Sequence, residues 1–153
     1  MEFKILNSKE IKKLLNNIEK QYKTKKLSLD CAFLMGKEGR IYILSRDFKD
    51  LDTDRLKINR LGLYFCRIQN NDVRLSVEGS QIIGKASEKI VDLNDDEIIK
   101  WISGEDIEKE IKEEGYFIVR YKDDFYGTTK IKNNLLKNFI PKNRRIKKKL
   151  RID

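Results

Sequence analysis

The 153-residue chain contains no histidine. This absence excludes the Ser-His-Asp and Cys-His nucleophile systems, zinc sites that use histidine, and acid–base chemistry by imidazole. Apolar residues make up 39% of the sequence, against a usual share of about 45–50%, so we expect a lean hydrophobic core. A chain of this length fits one ordinary domain or two small domains that share an interface.

Cysteines and long apolar runs are also scarce. Cys31 and Cys66 are far apart and form no Cys-x-x-Cys pair, which argues against a thiolate metal site or a redox dithiol. We expect both to be small buried residues in a reducing compartment. Residues 1–13 contain no apolar core of a signal peptide, and the longest apolar run, residues 61–66, is far too short to span a membrane. The sequence predicts a cytoplasmic protein with no cofactor, no metal and no membrane partner.

The positive charge is concentrated at one end of the chain. Of 34 basic and 25 acidic residues, ten basic residues and one acidic residue lie in positions 127–153, so the preceding part is neutral. Seven of the ten residues 142–151 are cations. Such a local field attracts polyanions and is screened by salt.

A lysine-rich terminus can also be only a solvated tail, because Lys, Ile and Asn are abundant throughout, as an AT-rich genome would produce. That bias would enrich both halves alike, whereas here the excess charge is segregated. The charge pattern therefore favours a polyanionic partner without identifying it.

The N-terminal half predicts one helix and several strands. Asn7 and Glu10 form a capping box ahead of apolar residues at helical spacing. Two apolar runs, residues 31–35 and 41–44, flank Gly36-Lys-Glu-Gly39 and predict a hairpin. A Gly-x-x-Gly loop is also found in KH domains, but there it joins two helices, so we favour the hairpin.

Further strands are predicted over residues 61–68 and 73–77, around a turn at residues 69–72. Residues 80–84 predict a short helix or turn that ends on glycine. The polar residues 85–88 are the best candidate for a domain boundary.

The C-terminal half begins with a predicted strand over residues 90–93. Asn94 and Glu97 form a second capping box, and the helix that follows is expected to end at Gly104. Residues 105–114 predict a further, acidic helix that ends at Gly115.

Strands are then predicted over residues 116–121 and 125–131, and one more over residues 135–140 before Pro141, the only proline. Gly127 lies inside a predicted strand, where a missing side chain permits a bulge. This order of elements suits a small, mostly antiparallel barrel.

Four blocks of the C-terminal half resemble the PUA domain, an RNA-binding module. The most similar variety is attached to RsmF-type RNA cytosine methyltransferases and to archaeal proteins that resemble PAPS reductases. The last block is the most specific of the four. The blocks are Trp101-Ile-Ser-Gly104-Glu-Asp106, Gly115-Tyr-Phe-Ile-Val-Arg120-Tyr121, Phe125-Tyr-Gly127 and Leu136-Lys-Asn138-Phe-Ile-Pro141-Lys-Asn-Arg144-Arg145.

Upstream, residues 74–84 look like the segment that leads into the PUA fold in the same proteins. Residues 41–45 and the preceding helix are similar, more loosely, to the pre-PUA domain of ribosome-assembly factors. The resemblance therefore implies an α+β fold. An N-terminal α/β pre-PUA domain (residues 1–86) would be followed by a PUA-type β pseudo-barrel with one or two flanking helices and a basic tail (residues 87–153).

PUA domains bind structured RNA, so the resemblance implies the same here. From the residues themselves we expect an electrostatic footprint on phosphates in the last 27 residues. Tyr116 and Tyr126 could stack on a base, although a core role is at least as well supported, and Trp101 is expected in the core. The candidate RNA-binding residues are Lys137, Lys142, Arg144 and Arg145, extended by Arg120, Lys130, Lys132, Lys147 and Lys148.

Three hypotheses of function remain open at this point. The first is a non-catalytic RNA-binding protein that acts on ribosomal or transfer RNA in maturation or modification, with ribosome-assembly proteins as further partners. The second is an RNA-recruiting subunit of a modification enzyme such as a methyltransferase. The third is a protein-interaction module, whose basic tail or acidic residues 92–114 would dock on another protein. None of them assigns a catalytic residue.

Overall fold

A computed structural model describes residues 3–45 and 62–146 of the chain. Its α+β fold contains two five-stranded sheets. In the first sheet the strands lie in sequence order and all pair antiparallel. These strands are β1 (Lys4–Ile5), β2 (Cys31–Met35), β3 (Arg40–Ser45), β4 (Leu63–Gln69) and β5 (Asp72–Leu75).

The two predicted hairpins of this sheet are confirmed. β2 and β3 pair across a short 3-10 turn, Lys37–Gly39. The elements on either side of the Gly-x-x-Gly sequence are therefore strands, and not the two helices of a KH domain. β4 and β5 are joined by Asn70 and Asn71, which have φ angles of 51° and 70°. Two positive φ angles in a two-residue loop match the right-handed twist of a hairpin, and asparagine tolerates them well.

Helix α1 (Ser8–Tyr22) begins at the predicted capping box. The Asn7 side chain accepts from the Glu10 backbone N–H at 2.8 Å, and Glu10 Oε1 accepts from the Asn7 N–H at 3.1 Å. The apolar face of the helix is buried against the first sheet. Its last residue, Tyr22, is fully buried and donates a hydrogen bond of 2.5 Å to the Val73 carbonyl of β5.

Helix α2 (Val77–Ile83) continues into a 3-10 turn, Gly84–Ala86. It begins earlier than predicted because the Ser76 hydroxyl caps it by accepting from the Gly79 N–H at 2.8 Å. For the same reason β5 ends at Leu75, two residues before the predicted end. The helix lies between the two sheets: Ser80 Oγ accepts from the Gly127 N–H at 2.8 Å.

The second sheet curls into a half-barrel of the PUA type. Its strand order is β6-β8-β9-β10-β7, in which β6 is parallel to β8 and the remaining pairs are antiparallel. Helix α3 (Asp95–Ile102) has the predicted Asn94–Glu97 capping box. The strands are β6 (Ile90–Asp92), β7 (Ile107–Glu108), β8 (Gly115–Tyr121), β9 (Asp124–Lys132) and β10 (Leu135–Leu136).

The predicted acidic helix over residues 105–114 is wrong. This stretch contains strand β7, which pairs with β10, and its backbone is held by the Lys109 N–H bonded to the Asn134 carbonyl at 2.9 Å. Gly104, with a φ of +97°, turns the chain away from the helix axis before this stretch begins. Tertiary pairing has overridden the helical propensity of the glutamates and lysines.

Two smaller strand predictions are resolved by the structure. The strand predicted over residues 135–140 is shorter in the structure, where it corresponds to β10. Beyond β10 the Asn138 side chain, and not a neighbouring strand, forms hydrogen bonds with backbone groups. The predicted irregularity at Gly127 is confirmed, with a φ of +95° beside a register shift between β8 and β9.

The hydrophobic core runs across both halves of the chain. The larger buried cluster joins α1 and the first sheet to Tyr116, Ile118 and Phe125 of the second sheet. Both cysteines are buried, as expected. The boundary between residues 86 and 87 stays a prediction. Among the described residues, no helix combines the length and apolar character that crossing a bilayer requires.

Gly84 provides a test of how tightly the two halves pack. A Cβ at this position would lie 2.5 Å from Cδ1 of Phe125, although the helical backbone there suits alanine. We expect Gly84→Ala to lower the free energy of unfolding by about 1–3 kcal/mol through overpacking, measured by urea denaturation. Lys85→Ala, at the exposed next position, is the matched control and should change little. Equal stability of the two variants would contradict this packing.

Candidate nucleic-acid interface

Residues 138–146, which begin two positions after the end of β10, form what we call the exit segment. Its anchor is the buried side chain of Asn138, whose Nδ2 donates to the carbonyls of Trp101 at 2.7 Å and Glu105 at 2.9 Å. Its Oδ1 accepts from the Ile140 N–H at 2.8 Å. Because all three bonds involve backbone groups at the end of α3 or in the segment itself, Asn138 fixes the path of the chain there.

Arg145 has a structural role in the same segment. Its Nε donates to the Ile140 carbonyl at 2.9 Å, and its side chain packs over Gly104, where a Cβ would collide with it. The Ile146 N–H also donates to the Ile102 carbonyl at 2.8 Å. The guanidinium of Arg145 is therefore partly engaged, although the residue remains exposed.

Lys142 and Arg144 lie on a short 3-10 turn of the exit segment, Lys142–Arg144, and both are exposed. Arg144 forms an ion pair with Glu78 of α2. Both partners retain solvent contact, so an incoming phosphate can exchange with this carboxylate. Lys142, Arg144 and Arg145 are thus all exposed within one short stretch of the exit segment, with Arg144 directed to Glu78 and Arg145 to Gly104.

Lys130, Lys132 and Lys137, the strand lysines, form a second group on β9 and just after β10, and all are exposed. The Lys137 N–H donates to the Lys130 carbonyl at 3.1 Å, which keeps these two residues adjacent. Lys137 Nζ is 3.8 Å from a carboxylate oxygen of Asp106. Lys132 borders a shallow depression that it shares with Glu108 and Glu110, so its surroundings are mixed in charge.

Arg120 is set apart from both groups. Its Nε and Nη2 donate to the two carboxylate oxygens of Asp92 at 2.6 and 2.9 Å, which ties β8 to β6. Along the β8–β9 hairpin it pairs with Phe125, whereas Lys130 pairs with Tyr116, a separation of about 14 Å at the usual rise per residue. Lys147 and Lys148 lie outside the described residues.

The aromatic candidates are divided between core and surface. Trp101 is fully buried, as expected, and its Nε1 donates to the Tyr126 carbonyl at 2.9 Å. Tyr116 is 8% exposed, and Lys130 Nζ lies 5.3 Å from its ring centroid. Tyr126 is partly buried beside Tyr121, with ring centroids 6.5 Å apart. The described residues contain no group of three or more Cys, Asp or Glu placed to hold a metal ion.

A second basic surface, which was not predicted from the sequence, lies on the first sheet next to the exit segment. Arg40, Tyr42 and Tyr64 line a cleft whose other wall includes Pro141 and Arg144. The cleft continues to Arg67, Arg74 and Phe139. Part of the signal is present in the sequence, because the two-residue turn at Asn70 and Asn71 places Arg67 opposite Arg74.

Comparison with protein families identifies the C-terminal part of the chain. The family described as the methyltransferase RsmF PUA domain matches residues 88–146 of the chain. The match confirms the resemblance in the C-terminal part, and residues 88–146 are thus a PUA-type domain, a class of RNA-binding module. A search of curated proteins gives no significant match to the chain.

The anchor of the exit segment can be tested by one nearly isosteric change. Asn138→Asp replaces the buried Nδ2 donor by a carboxylate oxygen that faces two carbonyls, so we expect the free energy of unfolding to fall by at least about 2 kcal/mol. Unfolding in urea, followed by Trp101 fluorescence, measures the decrease. Asn143→Asp in the exposed 3-10 turn is the control and should stay within about 0.5 kcal/mol of the wild type.

The Asp92–Arg120 pair predicts a measurable titration. The hydrogen bonds from Arg120 hold the pKa of Asp92 below its ordinary value. The pair therefore stabilises the fold above the ordinary pKa, and this contribution is lost as the pH falls through the folded-state pKa. Because both side chains are substantially exposed, we expect it to be below about 1 kcal/mol.

In an NMR titration, Arg120→Gln should raise the pKa of Asp92, whereas Lys122→Gln, on the neighbouring turn, should leave it in place. An Asp92 pKa that is unchanged in Arg120→Gln would show that the pair is not formed in solution.

Proposed function

We propose that this protein binds structured RNA through its PUA-type domain and acts, in the cytoplasm, on ribosomal or transfer RNA during maturation or modification. The observation that carries the proposal is the family match over residues 88–146. Support comes from the two exposed groups of cations that the PUA-type domain presents, one on the exit segment and one formed by the strand lysines.

In this proposal the protein positions RNA and catalyses no reaction. Lys142 and Arg144 contact phosphates, with Arg144 exchanging Glu78 for a phosphate oxygen, and the strand lysines extend the footprint. Lys147 and Lys148 continue the exit-segment group along the chain. Arg145 supports the segment as well as adding charge. Arg120 contributes the least, since Asp92 already neutralises it.

A second candidate function is an RNA-recruiting subunit for a modification enzyme carried by another chain. The observation that favours it is that the matched family is the PUA domain of a methyltransferase. Recovery of an RNA methyltransferase with the tagged protein after ribonuclease treatment would support this function over the first.

RNA binding by the exit segment should depend on salt and on two named cations. We expect Lys142→Gln/Arg144→Gln to weaken binding to a structured RNA and to reduce the slope of log K against log salt by about 0.7–0.9 for each phosphate that the variant no longer neutralises. A filter-binding titration over a series of salt concentrations measures both effects. Arg145 is left unchanged, because its side chain supports the exit segment.

Lys12→Gln/Lys13→Gln is the matched control. It removes the same charge from the exposed face of α1 and should leave the slope unchanged. Circular dichroism establishes that all three proteins are folded. Binding that is equally tight at low and high salt, or equally weakened by the control pair, would contradict the phosphate footprint. Tighter binding to an acidic protein than to RNA would favour a protein-interaction module instead.

A further inference from the structure

Three arginines on adjacent strands of the first sheet form a row. In the sheet register Arg40 of β3 lies opposite Arg67 of β4, and Arg67 lies opposite Arg74 of β5. We call these residues the arginine row. Like charges placed directly opposite each other across a sheet destabilise it, so such an arrangement calls for a counter-charge.

The counter-charge supplied by the described residues is incomplete. Glu38 Oε2 lies 3.6 Å from Arg40 Nη2 and 3.7 Å from Arg67 Nη2, so one carboxylate serves two guanidinium groups at long range. The Arg67 Nε donates to the Glu38 carbonyl at 3.0 Å, which holds that side chain in place. The row therefore keeps an excess of positive charge on well-positioned side chains.

Arg74 packs against an aromatic ring of the exit segment. Its guanidinium carbon lies 4.0 Å from the ring centroid of Phe139, so the exit segment packs directly on the first sheet. Its Nε is buried, and no described atom accepts a hydrogen bond from it. A buried donor without an acceptor is costly, and a bound anion would relieve it.

The row lines a cleft that also contains aromatic side chains. Arg40, Arg67, Arg74, Tyr64 and Phe139 surround a volume of about 210 Å³. Tyr64 is half-buried, and its ring centroid is 5.6 Å from that of Tyr42 on the neighbouring strand. Guanidinium groups beside recessed aromatic rings match the chemistry of a nucleotide, which has a phosphate to neutralise and a base to stack.

We propose that the arginine row and Tyr64 bind a single-stranded segment of RNA. Phosphates contact Arg40 and Arg67, and an unpaired base stacks in the cleft at Tyr64. A base within a duplex cannot enter such a cleft, whereas a splayed base can. The inference rests on the proposed function, because Pro141 and Arg144 of the exit segment form the adjoining wall. RNA bound to the PUA-type domain thus continues onto the first sheet.

The test uses two RNAs with the same hairpin, one blunt and one with a single-stranded tail of about 10 nucleotides. We expect Arg40→Gln/Arg67→Gln to weaken binding of the tailed RNA about 5- to 20-fold and to reduce its salt slope by about 1.4, the value for two single-strand phosphates. The affinity of this variant for the blunt hairpin should stay within about twofold of the wild-type value. The control pair Lys12→Gln/Lys13→Gln removes equal charge, and its affinities for both RNAs should also stay within about twofold of the wild-type values.

Tyr64 supplies an independent arm of the test. Tyr64→Ala should weaken binding of the tailed RNA about 5-fold or more, whereas Tyr64→Phe, which keeps the ring, should bind as the wild type does. Thermal unfolding of each variant shows whether its fold is intact. Arg40→Gln alone removes an exposed side chain and keeps the test valid if a more buried variant unfolds.

The outcomes separate this inference from the proposed function. If the wild type binds both RNAs and Arg40→Gln/Arg67→Gln binds the tailed RNA equally well, the inference is overturned while RNA binding by the PUA-type domain stands. Equal weakening for the tailed and blunt RNAs would also overturn it, as would preferential binding of an acidic peptide to the row. If the wild type binds neither RNA, the proposed function fails and the inference fails with it.

Discussion

The fold depends on a buried hydrogen-bonded contact between the last strand of the first sheet and the longest strand of the second. Thr128 Oγ1 accepts from the Leu75 N–H of β5 at 3.1 Å and lies 3.3 Å from the buried hydroxyl of Tyr22. Tyr22 in turn donates to the Val73 carbonyl of the same strand. β5 is the edge of its sheet, and buried edge groups must be satisfied. One threonine of β9 and one tyrosine of α1 satisfy two of them, which fixes how the two sheets meet.

This junction explains why the basic surfaces are neighbours. β5 carries Arg74, and β9 leads through β10 into the exit segment, which carries Phe139 and Arg144. Once β5 and β9 are held together, Phe139 is placed over Arg74. Residues separated widely in the sequence then line one cleft. Under the proposal that both surfaces bind one RNA, the PUA-type domain and the first sheet would need no rearrangement between them.

Local features of the fold could be predicted from the sequence, and features that depend on distant pairing could not. The capping boxes at Asn7 and Asn94 involve residues three positions apart, so the sequence shows them directly. The helix predicted over residues 105–114 does not form, because strand β7 in this stretch pairs with β10, about thirty residues further on. The same holds for the site. The alignment of Arg67 with Arg74 follows from a two-residue turn, but that of Arg40 with Arg67 depends on a pairing with a register shift, which no local pattern indicates.

The distribution of charge along the chain is a poor guide to the field at the surface. Residues 1–126 carry equal numbers of acidic and basic side chains, so their summed charge is zero. Folding places three of their arginines on one face, where Glu38 is the acidic partner of two of them, while Arg120 is neutralised by Asp92. A ligand responds to the cations that remain accessible and incompletely neutralised, not to the sum over a segment. The neutral stretch 1–126 thus contains a basic cleft, and one cation of the basic stretch, Arg144, is already paired with Glu78 within the protein.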